Sequence, residues 1–446
     1  MTEDTKYSLD DNSRVGVIGA GPAGSFFSYF LLDIAERIDM KINLDLYEAK
    51  DFTIPGPAGC NNCAGIISES LVQTLASEGI NLPPDVVKTG IDRYVLHTDT
   101  GSVDIDTPLH EMRIAAVHRG SGPRGITDTR WKSFDGFLMN LAGEKGANII
   151  HERIGELGWQ DGFPIVKTKN KEDKAYDLLV IGTGVNSTVQ KLMDSLDFGY
   201  QAPKATKTYI CELYLGEEMV NKHLGNAVHL FLLDIPRVDF AMLIPKVEFA
   251  TFCMLGNDID TDLVQTTLNT PEVRSILPPG WKIPENYCHC SPKATISDPV
   301  HAFTNRVITL GDCGFTRLYK DGIGAAYKSA KAAAVTAIFD GVSREDFDNH
   351  FQKTCRAISH DNRFGRIIFA VTHTIQRKRF MRSGVVKTVK GEQKKKSGAR
   401  HLSTVFWDTF TGSAPYRDVF FRTLHPVGLS RLVGNMITSL FTFNRQ

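Results

Sequence analysis

Apolar positions cluster in short runs that end at glycines, separated by stretches with helical spacing. Val15 to Ile18 is an unbroken apolar run, the pattern of a parallel strand buried on both faces. Gly19-Ala-Gly21-Pro22-Ala23-Gly24 follows, and the spacing from Ser25 to about Glu36 predicts a helix. Ile42 to Glu48 reads as the next strand. Further runs at Tyr176 to Ile181 and Val307 to Leu310 predict two more, and the Ala-rich 325–339 stretch predicts a helix. Thr208 to Leu215, Val228 to Leu233 and Phe249 to Leu255 alternate instead, which predicts an antiparallel sheet within 201–295. The expected fold is α/β (α+β). A Rossmann-like domain made of 12–200 and 296–345 is interleaved with the antiparallel 201–295 unit. A helical C-terminal region, 346–446, follows, with a break at Lys387–Arg400.

Charge adds a second layer. The 446 residues hold 51 basic and 51 acidic side chains. From 351 onward, however, there are 18 Lys and Arg against 4 Asp and Glu, a net of +14, which leaves −14 on the rest. Such asymmetry points to a basic region that meets something anionic. The first fourteen residues are polar and acidic, unlike a secretory signal, and no apolar run approaches the roughly 18 residues that span a bilayer. Eight cysteines are too few for a disulfide scaffold, so reduced thiols in the cytoplasm are expected.

The glycine turn carries the first chemistry. Gly19 makes the tight turn, Gly21 admits a pyrophosphate close to the backbone, and Gly24 lets helix and strand pack closely. Pro22 and Ala23 lie at the helix start, whose N–H groups and dipole face the phosphates. Glu48, at the end of the second strand, is placed for ribose hydroxyls. Residues 176–187 repeat a strand and a Gly182-x-Gly184 turn without the third glycine. Gly311-Asp312 ends a further strand, where an acid can hold a ribityl hydroxyl. Gly322-Ile323-Gly324 frees a helix N-terminus that can stabilise negative charge on a reduced ring.

At these residues the chain resembles the FAD-dependent oxidoreductases of the para-hydroxybenzoate hydroxylase fold, and most of all their geranylgeranyl reductase branch. Gly59-Cys60-Asn-Asn-Cys63-Ala-Gly resembles that branch's cysteine-glycine loop. Arg130-Trp-Lys-Ser-Phe-Asp135 resembles its Arg-x-x-x-Phe-Asp helix, and Phe240 to Lys246 its Pro-Lys substrate strand. The resemblance spans 14 to about 340. It implies FAD as cofactor, Cys63 beside the flavin with Cys60 able to pair with it, and Arg130 contacting FAD. It also implies an isoprenoid or quinone-like substrate that gains or loses a hydride. The electron donor (NADPH, ferredoxin or a flavoprotein) stays open. The middle motif departs from the superfamily: Gln190 stands where an arginine is usual, which lowers the weight of the alternative, a monooxygenase. A flavoprotein subunit passing electrons within a larger complex is a third reading. After Cys313 only Cys355 remains, too few ligands for an iron–sulfur cluster. The single-residue spacing of Cys288-His-Cys290 is unusual for zinc, and no metal is expected. Gly120 to Gly125 reads as a flexible turn.

The basic region interleaves apolar and charged residues from Arg363 to Arg382, and Leu424 to Phe443 is strongly apolar but broken by Pro426, Arg431 and Asn435. That pattern suits a helix lying in a membrane interface with its bases toward anionic lipid. The expectation is a peripheral protein on the inner membrane face with a hydrophobic or lipid substrate. A redox partner protein stands as the other use of the region; nucleic acid is not expected.

Overall fold

The computed structural model describes residues 7–62, 64–106, 114–126, 130–168, 173–185, 188–283, 286–395 and 399–443. Its centre is a six-stranded sheet. In spatial order the strands are Phe303–Thr304, Val307–Thr309, Leu178–Ile181, Ser13–Ile18, Ile42–Tyr47 and Asn148–Ile150. All neighbours run parallel except the edge strand Phe303–Thr304. Val15 and Val17 point into the core shared with the Pro22–Arg37 and Gly322–Phe339 helices. Ala330, Ala333, Ala334 and Ala337 keep the second of these slim, so the two helices lie close, with Phe26 and Phe30 edge-on to Tyr327. On the opposite face the sheet is covered by the three-stranded unit within 156–175, where Leu157, Val166 and Tyr176 meet Ile18 and Leu179.

A seven-stranded sheet forms a roof over this domain. Its order is Cys288–Cys290, Tyr209–Tyr214, Phe249–Gly256, Val238–Lys246, Ala227–Phe231, Arg93–Thr98 and Gly101–Asp106. Two of these strands correct the sequence reading, since 93–106 lies outside the predicted 201–295 unit. Arg93 to His97 pairs in parallel with Ala227–Phe231, so the sheet is not wholly antiparallel. That pairing joins positions more than a hundred residues apart and leaves no local signal. One face packs against the Thr261–Leu268 helix region; the other, with Ile210, Met242 and Cys253 side by side, looks toward the nucleotide domain.

Among the described residues from Gln352 onward the C-terminal region forms the helices Gln352–Arg377, Arg379–Gln393, His401–Thr411, Tyr416–Thr423 and Pro426–Phe443. The predicted break at Lys387–Arg400 begins too early. Helix runs through Lys387 to Gln393, and the chain turns at Lys378 and again after Gln393. Buried Val385, Val386 and Val389 bind that segment into the core despite its lysines. Gln376 donates to the carbonyls of Leu233 and Val238, Arg382 forks onto Asp99, and Trp407 sits edge-on to Tyr94. The helices are thus built onto the roof. Among the described residues no helix is long and apolar enough to cross a membrane.

Candidate active site

A cavity of about 760 Å³ runs from the glycine turn to the roof. At one end Gly19 adopts φ +98°, and a Cβ there would lie 2.8 Å from the Gly182 carbonyl oxygen. Gly24 lies behind the turn, where a Cβ would come within 1.9 Å of the Gly19 oxygen, so only glycine lets the helix start so close to the strand. Gly21, Pro22 and Ala23 face the cavity, as do Gly311, Gly322 and Ile323, whereas Gly324 abuts the Asp321 carboxylate instead.

Two acids line the path. Glu48 accepts from the Ala20 and Lys50 amides at 2.8 and 2.9 Å, and burial pushes its carboxyl up although both amides pull it down. Its other lone pairs remain for a ligand hydroxyl. Asp312 is open to the cavity yet deep within the protein; burial raises it, offset by the Thr316 hydroxyl and Arg119.

Arg119 is one of the arginines that line the cavity. It forks onto Asp135, with Nη2 to Oδ2 at 2.7 Å, and Asn61 donates to the same oxygen at 2.5 Å. Asp135 is fully buried in the first turn of the helix that begins at Phe134, which Ser133 caps. Arg130 does not join them. It is 56% exposed, lies 3.6 Å from Glu217, and lines a separate groove. Trp131 beside it is buried, its ring edge-on to His118 and Phe249, and the side chain three residues before the helix cap points outward.

The cysteine loop also differs from expectation. Cys63 lies outside the described residues. Cys60 lines a void of about 20 Å³ shared with His118, Glu212, Cys288 and Cys290, not the main cavity. Burial pushes its thiol up to about 11, so it is a thiol rather than a reactive thiolate at neutral pH. Beside the void, Lys246 is wholly buried 3.7 Å from Glu212, which accepts from Thr251 and faces His118 at 3.7 Å. Burial holds His118 down to about 4, hence neutral. Among the described residues no group of three His, Cys, Asp or Glu side chains is placed to hold a metal ion.

At the roof end the wall turns apolar, with Ile66, Ile210, Phe240, Met242, Cys253 and Leu255. The loop that closes it carries Tyr319 at φ +67° and Asp321 at φ +59°, both left-handed without being glycine. Asp321 accepts from Ser68 at 3.1 Å and faces Arg317 at 3.4 Å; burial raises it. The helix N-terminus at Gly322 therefore already has a carboxylate against it, which the glycine spacing alone does not reveal.

These features suit FAD. The glycine turn, Glu48 and Asp312 fall along one extended cavity, and Thr183, on its wall, has a buried hydroxyl with no partner among the described residues. The architecture is the para-hydroxybenzoate hydroxylase fold of FAD-binding flavoproteins. Within that class, the chain is similar to a geranylgeranyl bacteriochlorophyll reductase-like protein from Thermoplasma acidophilum, with TM-score 0.65 and 13% identity over 93% of this chain and 98% of that one. It is also similar to a flavoprotein/dehydrogenase from Cytophaga hutchinsonii (TM-score 0.61, 12% identity, 95% and 100% covered). A third is a variant of HpxO from Klebsiella pneumoniae complexed with FAD (0.55, 14%, 94% and 99%). No family model matches the sequence, and no curated protein matches it.

Proposed function

We propose that the chain is a FAD-dependent oxidoreductase that passes a hydride to or from a hydrophobic, isoprenoid or quinone-like substrate at a membrane surface. The observation that carries this is the single cavity joining a dinucleotide turn to an apolar wall. Gly19, Gly21, Glu48 and Asp312 would hold the cofactor, with Arg119 fixed nearby by Asp135. FAD, when bound, supplies two-electron hydride transfer at its N5. The roof strands exclude water and set a flat substrate against the cofactor, and the clamped loop at 316–321 closes the site.

The membrane part rests on the last helix. Its inner face, with Leu432, Met436 and Ser439, packs on the Arg379–Gln393 helix, while Val433, Ile437, Leu440 and Phe441 form an exposed stripe. Leu424, Val427 and Leu429 extend it. Apolar side chains in a row, on the segment with net +14, suit the interface of an anionic bilayer.

The test is reconstitution with FAD followed by anaerobic reduction and addition of prenyl lipids or quinones. Uptake of the yellow cofactor and product with reduced bonds are expected; a protein that stays colourless overturns the proposal. The oxygenases among the similar structures keep a monooxygenase as the competing outcome, recognised by oxygen uptake and a hydroxylated product.

A further inference from the structure

Lys320 is a cation set into the apolar end of the cavity. Its ammonium lies 3.3 Å from the Met242 sulfur, 4.8 Å from the centre of the Phe240 ring and 5.7 Å from that of Phe410. Both Phe240 and Met242 belong to the roof wall, so the charge sits at the substrate side of the site.

The loop that presents it is held rigidly. Tyr319 and Asp321, on either side, are both left-handed, a conformation unfavourable for residues other than glycine. The C-terminal helices impose it. Asn362 accepts from the Leu318 amide at 3.0 Å and donates to the Thr316 carbonyl at 2.9 Å. The Tyr416 hydroxyl donates to the Leu318 carbonyl at 2.6 Å, and Arg317 to that of Gly412 at 3.0 Å.

The surrounding charge narrows what meets this ammonium. Asp312 and Asp321 lie on the same wall, Asp321 facing Arg317 at 3.4 Å, while Lys50, Arg119 and Lys293 line the cavity elsewhere. A standing phosphate or carboxylate would face those two acids, and an isolated alkene has no atom for an ammonium to bind. A neutral ring whose oxygen becomes negative only during the reaction fits both constraints.

We propose that Lys320 is a catalytic residue that binds and protonates a carbonyl oxygen, and that the substrate class is therefore a quinone or similarly conjugated carbonyl. This deepens the function proposed above and rests on it. In the reductive direction the quinone takes up a hydride from the reduced cofactor, whose N5–H bond breaks. One carbonyl oxygen ends as a hydroxyl and the other as a phenolate, which takes a proton from the Lys320 ammonium. The neutral amine regains a proton from water, the product is the hydroquinone, and the cofactor is left oxidised by two electrons. An external two-electron donor, dithionite in the test, reduces it again.

The test uses the full-length FAD-loaded protein, reduced anaerobically and mixed with menadione or with geranylgeraniol. Lys320→Met removes the charge at similar length, and Lys320→Arg keeps it. Parent protein should be reoxidised by menadione and not by geranylgeraniol. Lys320→Met should slow that step about 100-fold or more, as loss of an oxyanion donor does. It should also weaken menadione binding to the oxidised protein, read by difference spectra, about tenfold. Lys320→Arg should recover most of both losses. A lysine that only fastens the aromatic rings would lower thermal stability and leave both readouts within threefold of the parent, which overturns the proposal. Reduction of geranylgeraniol with no reaction of menadione also overturns it while the flavoprotein reading stands; failure to bind FAD overturns both. If Lys320→Met does not hold FAD, Lys320→Gln takes its place under the same criteria.

Discussion

Arg119 and Asp135 meet where almost no water reaches, with side-chain exposures of 12% and 0%. Removing one partner of such a pair leaves a charge without its counterion, at a cost of about 3–5 kcal/mol. Asp135→Ala should therefore lower the urea midpoint markedly and weaken FAD binding; an unchanged midpoint would show that the pair is not structural. The sequence exposed Asp135 through its helix motif but not its partner. Arg119 has no local pattern, and only the capped turn at Ser133 brings the two together. Gly19, Gly21 and Glu48 were legible because their geometry is local: a turn and the strand ends beside it.

A second residue-scale pair lies on the far face of the roof. His97 and His229 are hydrogen-bonded at 2.9 Å with their rings nearly coplanar, and burial lowers them to about 3 and about 4 from 6.5. The unfolded chain takes up these protons first on acidification, so this contribution is whole above pH 6.5 and is lost as pH falls toward 4. Asp408, raised to about 6 by burial, works in the opposite sense, so the comparison must be with a variant. The double variant His97→Gln, His229→Gln should lose less Tm than the parent between pH 7 and pH 5; parallel curves would refute this.

Among elements, the last helix is the clearest case of a pattern read correctly for its extent. The sequence predicts its apolar stretch from Leu424, and the helix runs Pro426–Phe443. Which side faces outward was not readable, because the Arg379–Gln393 helix that covers the other side is chosen by tertiary packing. There a Cβ added at Gly384 would lie 2.5 Å from the Met436 side chain. Ile437→Asp puts a charge in the stripe without touching that contact. Binding to vesicles rich in anionic phospholipid should fall about tenfold or more, with folding unchanged, in a sedimentation assay. Equal binding by parent and variant would remove this helix from the membrane contact.

For the whole molecule, the charge asymmetry has an internal destination. Arg382 pairs with Asp99 and Arg377 lies 3.8 Å from Asp234, so part of the basic tail neutralises the acidic body. The tail also completes a core: Phe406, Trp407 and Phe410 pack with Tyr94, Phe240 and Met242. Ending the chain before Gln352 should therefore give insoluble protein rather than a trimmed flavoprotein; a soluble, FAD-binding fragment would contradict the shared core. Sequence located the two layers and the tail, but the strands at 93–106 and the joint between tail and roof depend on contacts between positions more than a hundred residues apart.

The grip of Asn362 and Tyr416 on Leu318 has one more implication. Both supports stand on C-terminal helices, Gln352–Arg377 and Tyr416–Thr423, and the second of these leads into the helix that carries the exposed stripe. Damage to either helix, by protease or by mutation, should therefore register at the loop around Lys320.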